Sequence, residues 1–294
     1  MKHHIVHKTT FSYTEPASLS QNELFLYPRQ TNTQQVVSSE LIIEPQPQYL
    51  HRRTDFFGNI VHVFMVQHPH TELSVTAASR VETAVPVAPP PENSPAWETV
   101  AHSLTVRDTA ELLDACQFVF ASPLIATPAE AEAFARPSFP PGTPVLAGAV
   151  DLMGRIFKDF TYDKSATTVD TSVTQALASA KGVCQDFAHV AISCLRSLGL
   201  AARYVSGYLK TLPPPGKARL VGADASHAWL SLFVPGTGWV DLDPTNNLIP
   251  GDTHITIAWG RDYGDVTPVK GVVMGGGTHT LSVMVDVLED MPNR

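Results

Sequence analysis

Three residues in this chain have the types and order that nucleophilic chemistry on a carbonyl needs: Cys184, His227 and Asp243. Cys184 stands in Lys181-Gly182-Val183-Cys184-Gln185-Asp186-Phe187-Ala188-His189. From Asp186 onward the apolar residues fall at Phe187, Val190, Ala191, Cys194, Leu195 and Leu198, the stripe of an amphipathic helix. Gly199 supplies a left-handed stop. Cys184 is therefore expected in or just before the first turn, where unpaired N–H groups and the positive end of the helix dipole favour a thiolate. The plain alternative is a buried structural cysteine. His227 and Asp243 share parity along two predicted strands around Pro235, so both can lie on one face. A turn pivoting at Pro235 sets them directly opposite, and a later pivot sets them diagonally. Asp241 has the same parity and is the rival partner for His227. Trp229 and Trp239 also share it and are expected to shield that face from water. The alternative here is an ordinary strand pair carrying an exposed histidine.

The elements that must position these residues follow from the patterning. Residues 1–85 read as all-β: period-two alternation over residues 73–82, strands at 41–43 and 60–66, and a Gly58-Asn59 hairpin signal. Short strands with turns between them predict a β-sandwich-like domain. Residues 86–95 are a proline-dense linker. Helices are expected over residues 97–116, 127–135, 146–160 and 172–180, the second opened by a Thr127–Glu130 capping box with Pro128 at the first helical position, with the cysteine helix next. Strands follow at 202–209, 226–234 and 239–243, and again from 255 to 287. Pro213-Pro214-Pro215-Gly216 lies within a 210–225 loop, read as a connector or a gate over the substrate. The expected boundaries are 1–85 for the β-domain, 86–145 for the linker and helical segment, and 146–294 for the catalytic core with the C-terminal strands.

Composition narrows the function classes. Of 294 residues 44% are hydrophobic and 16% charged, which suits a sizeable core, and the length suits two domains. The net charge of −8 offers no field for nucleic acid or anionic lipid. No apolar run approaches the ~20 residues of a membrane span. Three cysteines make no disulfide framework, and a reduced, cytoplasmic protein is expected. His3, His4 and His7 alternate along a strand and are not read as a metal site, no Asp-rich calcium loop occurs, and neither metal nor cofactor is expected. Gly275-Gly276-Gly277 is read as a tight turn. Asp186 is read as a helix-dipole partner and His189 as a packing or capping residue.

Four segments resemble the transglutaminase-like superfamily, whose members carry a papain-type Cys-His-Asp triad. They are Gly182-Val183-Cys184-Gln185-Asp186-Phe187-Ala188, Ala202-Arg203-Tyr204-Val205-Ser206-Gly207-Tyr208, His227-Ala228-Trp229, and Gly238-Trp239-Val240-Asp241-Leu242-Asp243-Pro244-Thr245. The β-rich start, with Asp55-Phe56-Phe57-Gly58-Asn59, resembles the N-terminal domain of bacterial members, and the tail from His254 through Leu281 is similar to theirs. The resemblance implies an α+β fold in which helices pack on an antiparallel sheet in a papain-like core. It places the nucleophile on Cys184, its histidine on His227 and, in preference to Asp241, its aspartate on Asp243. It implies attack on the carboxamide of a peptide or protein substrate through an acyl-thioester, which then passes to water or to an amine. Tyr204, Tyr208, Trp229 and Trp239 are the candidate substrate-binding residues, with core packing as the alternative for the two tyrosines. The contrasting expectation is a binding or scaffold module with a silent triad.

Overall fold

The computed structural model describes residues 1–211 and 226–289. The predicted 210–225 loop therefore falls almost wholly outside the described residues. The N-terminal part comprises β1 (Lys2–Leu24), β2 (Gln34–Glu44), β3 (Tyr49–Thr54), β4 (Ile60–Val66) and β5 (His70–Thr83). They lie in one antiparallel sheet in the order β2-β5-β1-β4-β3. β1 is long enough to serve two partners on the same edge. Its first half pairs with β5 and, past an irregularity between Ser12 and Ala17, its second half pairs with β4. Phe64, Leu73 and Val75 from this sheet make a small hydrophobic cluster of their own.

The middle of the chain is helical: α1 (Trp97–Val106), α2 (Ala110–Cys116), α3 (Ala129–Ala135) and α4 (Val145–Asp159). The helix expected over 97–116 breaks in two. Arg107 adopts a left-handed conformation that ends α1, and the Thr109 side chain caps α2. The capping box at Thr127 is not formed, because Pro128 is the N-cap of α3 and no side chain caps it. A short parallel pair, β6 (Thr161–Tyr162) and β7 (Lys181–Gly182), brackets α5 (Val173–Ser179), which opens with a Ser172/Gln175 capping box. Then comes α6 (Cys184–Ser197).

The core sheet consists of β8 (Ala202–Leu209), β9 (Ser226–Val234), β10 (Gly238–Leu242) and β11 (His254–Gly260), in the order β10-β9-β8-β11. α6 packs on β8 and β9 and against α3, α4 and α5. It is buried throughout from Asp186 to Arg196, rather than on one stripe. Its polar side chains are accordingly partnered inside. Ser193 Oγ donates to the Ala126 carbonyl at 2.6 Å, and Arg196 donates to the carbonyls of Phe118, Ala202 and Arg261.

Two strands return to the other end of the molecule. β12 (Val269–Gly275) and β13 (His279–Glu289) pair with β1 and complete a seven-stranded sheet. The C-terminal strands assigned to the core by sequence thus belong to the N-terminal sheet, because β1 has a second edge to fill. Gly275, Gly276 and Gly277 all take positive φ in the turn between them. One hydrophobic core joins the two parts, with Ile5, Phe25, Val61 and Val81 continuous with the helices and the core sheet.

The contact between the parts also uses amide side chains. Asn59 Nδ2 donates to the Trp259 carbonyl at 2.8 Å, and the Trp259 N–H donates to Asn59 Oδ1 at 3.0 Å. Gln34 makes the same pair with both backbone groups of Thr256. These amides occupy hydrogen-bonding groups of β11, the edge strand, in place of a further strand.

Candidate active site

Cys184 is the first residue of α6 and is half-buried. The chain reaches it through Gly182, where a Cβ would meet Asp186 Oδ2 at 2.5 Å. Asp186 accepts from the Val183 N–H at 2.8 Å and from Thr167 Oγ1 at 2.7 Å. It therefore ties down the turn that carries the cysteine and complements the helix dipole. The Cys184 N–H is among the first four amides of the helix, which have no intrahelical acceptor. At the other end, Gly199 takes φ +77° and the Leu200 N–H closes onto the Leu195 carbonyl.

His227 comes from the start of β9, Asp243 from just past the end of β10. The β9–β10 register sets Leu242 against Leu230 and Asp241 against Ser231. The turn therefore pivots one residue beyond Pro235, and His227 and Asp243 lie diagonally. His227 Nε2 and Asp243 Oδ2 are 2.7 Å apart. This leaves Nδ1 to face a thiol, and Cys184 is near enough to His227 to help raise its pKa. Burial alone would lower the His227 pKa, but the hydrogen bond to Asp243, the nearby Cys184 and the charge of Asp243 outweigh it and raise it to about 9. Burial works against the Asp243 carboxylate too. Hydrogen bonds from His227, His254 and Asn246 prevail and hold its pKa well below the usual range.

Asp243 is fully buried and densely partnered. Oδ2 also lies 3.1 Å from His254 Nε2 and accepts from Asn246 Nδ2 at 2.7 Å, while Oδ1 accepts from the N–H groups of Thr245 and Asn246. The rival Asp241 is committed elsewhere: it accepts from Trp229 Nε1 at 3.0 Å and, at short range, from Ser231 Oγ. His189 is buried, accepts from the Tyr263 N–H and stacks edge-on to Tyr204.

The four aromatic candidates do not form one surface. Trp229 is fully buried, tilted against His227 at 6.0 Å and edge-on to His254 at 5.2 Å. Tyr204 is buried, and that burial, with Cys184 adding to it, raises the pKa of its hydroxyl well above the usual value. Tyr208 is buried with its hydroxyl 2.7 Å from His7 Nδ1, and Trp239 packs on Phe118 and Phe233. No hydrogen bond or ring contact joins Tyr208 or Trp239 to Cys184, His227 or Asp243 among the described residues. The tyrosines do share a face of β8, as their spacing predicts, but α6 and β1 cover it. Three residues near the site escaped the sequence reading. Partial burial and the nearby Cys184 raise the pKa of Tyr162, an exposed side chain on β6. Asn246 follows the Asp-Pro-Thr segment by one residue. His254 arrives on β11, a strand that no local signal pairs with β8.

Among the described residues, His227, Asp243 and His254 are a group able to hold a metal ion, each offering one ligand atom within 4.8 Å of the others. A metal there would take the atoms that now join His227 to Asp243.

Comparison with known proteins shows the family. The profile of the transglutaminase-like superfamily matches residues 132–244, and that of the bacterial transglutaminase-like N-terminal region matches residues 3–82. The chain belongs to the transglutaminase-like superfamily. An uncharacterized protein of Mycobacterium tuberculosis is 38% identical over 98% of this chain and 92% of its own length. A protein-glutamine gamma-glutamyltransferase of Pseudomonas aeruginosa is 30% identical over 34% of this chain and 16% of its own length. The solved structure of a proposed cysteine protease from Cytophaga hutchinsonii superposes with a TM-score of 0.77 at 20% identity, over 100% of this chain and 92% of that one, and shares the fold. No helix among the described residues is long and apolar enough to cross a membrane.

Proposed function

We propose that this protein is a cysteine-dependent amide hydrolase or acyl transferase acting on peptide or protein carboxamides. The observation that carries the reading is the 2.7 Å pairing of His227 with the buried Asp243 carboxylate, with Cys184 at the head of α6 near enough to His227 to help raise its pKa. Cys184 passes its proton to His227 and attacks the carboxamide carbon, while the Cys184 N–H at the helix start donates to the developing oxyanion. His227 then protonates the departing nitrogen, the C–N bond breaks, and ammonia or an amine leaves an acyl-thioester on Cys184. Water, or a second amine deprotonated by His227, attacks the thioester and restores the thiol. Asp243 keeps the imidazole oriented and charged between the two steps.

Tyr204 and Trp229 support this site from within. Tyr162 is the exposed aromatic side chain beside the thiol and is assigned to the substrate. Hydrolysis is favoured over transamidation, since nothing among the described residues forms an evident amine-specific channel. The three free cysteines accord with a reducing, cytoplasmic setting.

The test incubates the full chain with glutamine- and asparagine-containing peptides, with and without a primary amine, and follows ammonia and the mass of the protein. An acyl adduct on Cys184, absent from Cys184→Ala, is expected. Failure of every carboxamide to acylate Cys184, with the thiol intact, overturns the reading in favour of a silent module.

A further inference from the structure

A cavity of about 510 Å³ lies away from Cys184, at the junction of the two parts of the chain. Residues 31–33 and 86–88 wall one side, and β8, β10 and β11 the other; Cys184, His227 and Asp243 do not line it. The volume is that of a small-molecule site. Arg203 lines it while only 8% exposed. Its guanidinium sits 4.2 Å over the Trp239 ring and 3.7 Å over the Trp259 ring, and both rings also line the cavity.

Arg203 lacks the partners that a buried guanidinium ordinarily has. Its Nε is buried without an acceptor, and among the described residues it makes no hydrogen bond or ion pair. Arg196, buried in the same core, donates to three carbonyls. The acid closest in kind, Asp241, attracts Arg203 across the site, but its oxygens are engaged by Trp229 and Ser231. Arg29 stacks on Trp259 from 3.4 Å; its Nη1 donates to the Phe57 carbonyl and to Asn59 Oδ1, while its Nε is buried without an acceptor. Burial lowers the Arg203 pKa to about 9, so the group is still a cation at neutral pH. Asp241 and Asp114 act on Arg203, and Asp55 on Arg29, but among the described residues neither guanidinium forms an ion pair in contact with a carboxylate. Buried charge without a partner in contact is rare and expensive.

We propose that this cavity binds a small organic carboxylate with an aromatic or apolar body, the carboxylate on Arg203 and the body against Trp239 and Trp259. The planar fork of Arg203 suits a carboxylate, and the indole walls suit an apolar body better than an inorganic anion. The carboxylate can belong to a free acid or to the C-terminus of a peptide.

Calorimetry on the full chain with indole-3-acetate, 4-phenylbutyrate and N-acetylphenylalanine, each beside its carboxamide, tests the site. In parallel, NMR follows the indole N–H signals of the four tryptophans. At least one acid should bind about tenfold or more tightly than its amide, shifting the Trp239 and Trp259 signals and leaving Trp97 unmoved. Preference for N-acetylphenylalanine assigns a peptide terminus, and preference for the other two assigns a free acid. Arg203→Met should abolish the acid preference and Arg203→Lys retain part of it. Equal binding of acid and amide, shifts confined to Trp97, or no binding of any acid up to about 10 mM overturns the proposal. The comparison of acid with amide on the unaltered protein decides the question even if the Arg203 variants fail to fold.

Discussion

Asp243 carries more of this site than a triad diagram suggests. One buried carboxylate serves two imidazoles, one amide side chain and two backbone N–H groups. Against the burial that lowers it, the hydrogen bond to Asp243 is the leading influence that raises the His227 pKa to about 9. If His227 must be protonated to release the leaving group, kcat/KM falls on the alkaline side as pH passes about 9. Asp243→Asn removes the charge and keeps the shape. The alkaline limb should then move down by about 1–2 pH units, and kcat/KM should fall by about 10²–10⁴-fold. A full pH–rate profile of both proteins checks this; an unmoved limb would mean that the raised histidine pKa does not come from Asp243. The same geometry predicts that zinc slows alkylation of Cys184 reversibly by occupying His227, Asp243 and His254, with recovery on adding a chelator.

The strands hold the site through close contacts that tolerate little change. Gly207 of β8 pairs with His227 of β9. A Cβ there would lie 2.2 Å from the Ile255 carbonyl and 2.5 Å from the Trp229 ring. Gly207→Ala should therefore pry β8 from β11 and displace the indole against which His227 and His254 rest. A loss of about 1–3 kcal/mol in stability is expected, together with a fall in activity larger than the fall in folded fraction, read by urea unfolding and by kcat. The amide of Asn59 gives a second test on a different element. Asn59→Ala leaves both backbone groups of Trp259 unpaired in a buried setting, at a cost of about 2–4 kcal/mol. Since β11 also carries His254, the N-terminal sheet braces the strand that supports Asp243. This gives the N-terminal domain a physical role at the site.

At the scale of the molecule, buried histidines set the response to acid. His7 joins β1 to Tyr208 of the core, and His189 lies in α6 under Tyr204. Burial lowers each pKa to about 4. A histidine depressed in the folded state binds its proton more readily when unfolded. Its contribution is complete above the unfolded value of about 6.5 and is lost as pH falls toward 4. Each is worth about 3 kcal/mol over that window. His227 runs the other way, stabilising fully below about 6.5 and losing its contribution as pH rises through 9. The melting temperature should drop steeply between pH 6.5 and 4, and His7→Gln should flatten the acid side. A melting curve independent of pH over that range would contradict the burial of these two rings.

Local pattern alone located much of this protein. The apolar period from Phe187 and the stop at Gly199 placed α6 with Cys184 at its head, and strand parity brought His227 and Asp243 to one face. These are properties of neighbouring residues, and backbone geometry ties them directly to side-chain direction. Parity could not choose between Asp241 and Asp243. The resemblance chose Asp243, and the physical reason lies in the turn pivot and in Trp229 and Ser231 engaging Asp241. Nor could period reveal that α6 is buried all round, that Tyr204 and Tyr208 face α6 and β1, or that β12 and β13 return to β1. Each depends on which distant element comes to lie alongside, and the alternation of a strand is the same whatever its partner. The additions at the site have the same origin. His254, Tyr162 and Arg203 acquire their surroundings only through pairings between segments tens to hundreds of residues apart, where burial and charge are properties of the assembled fold.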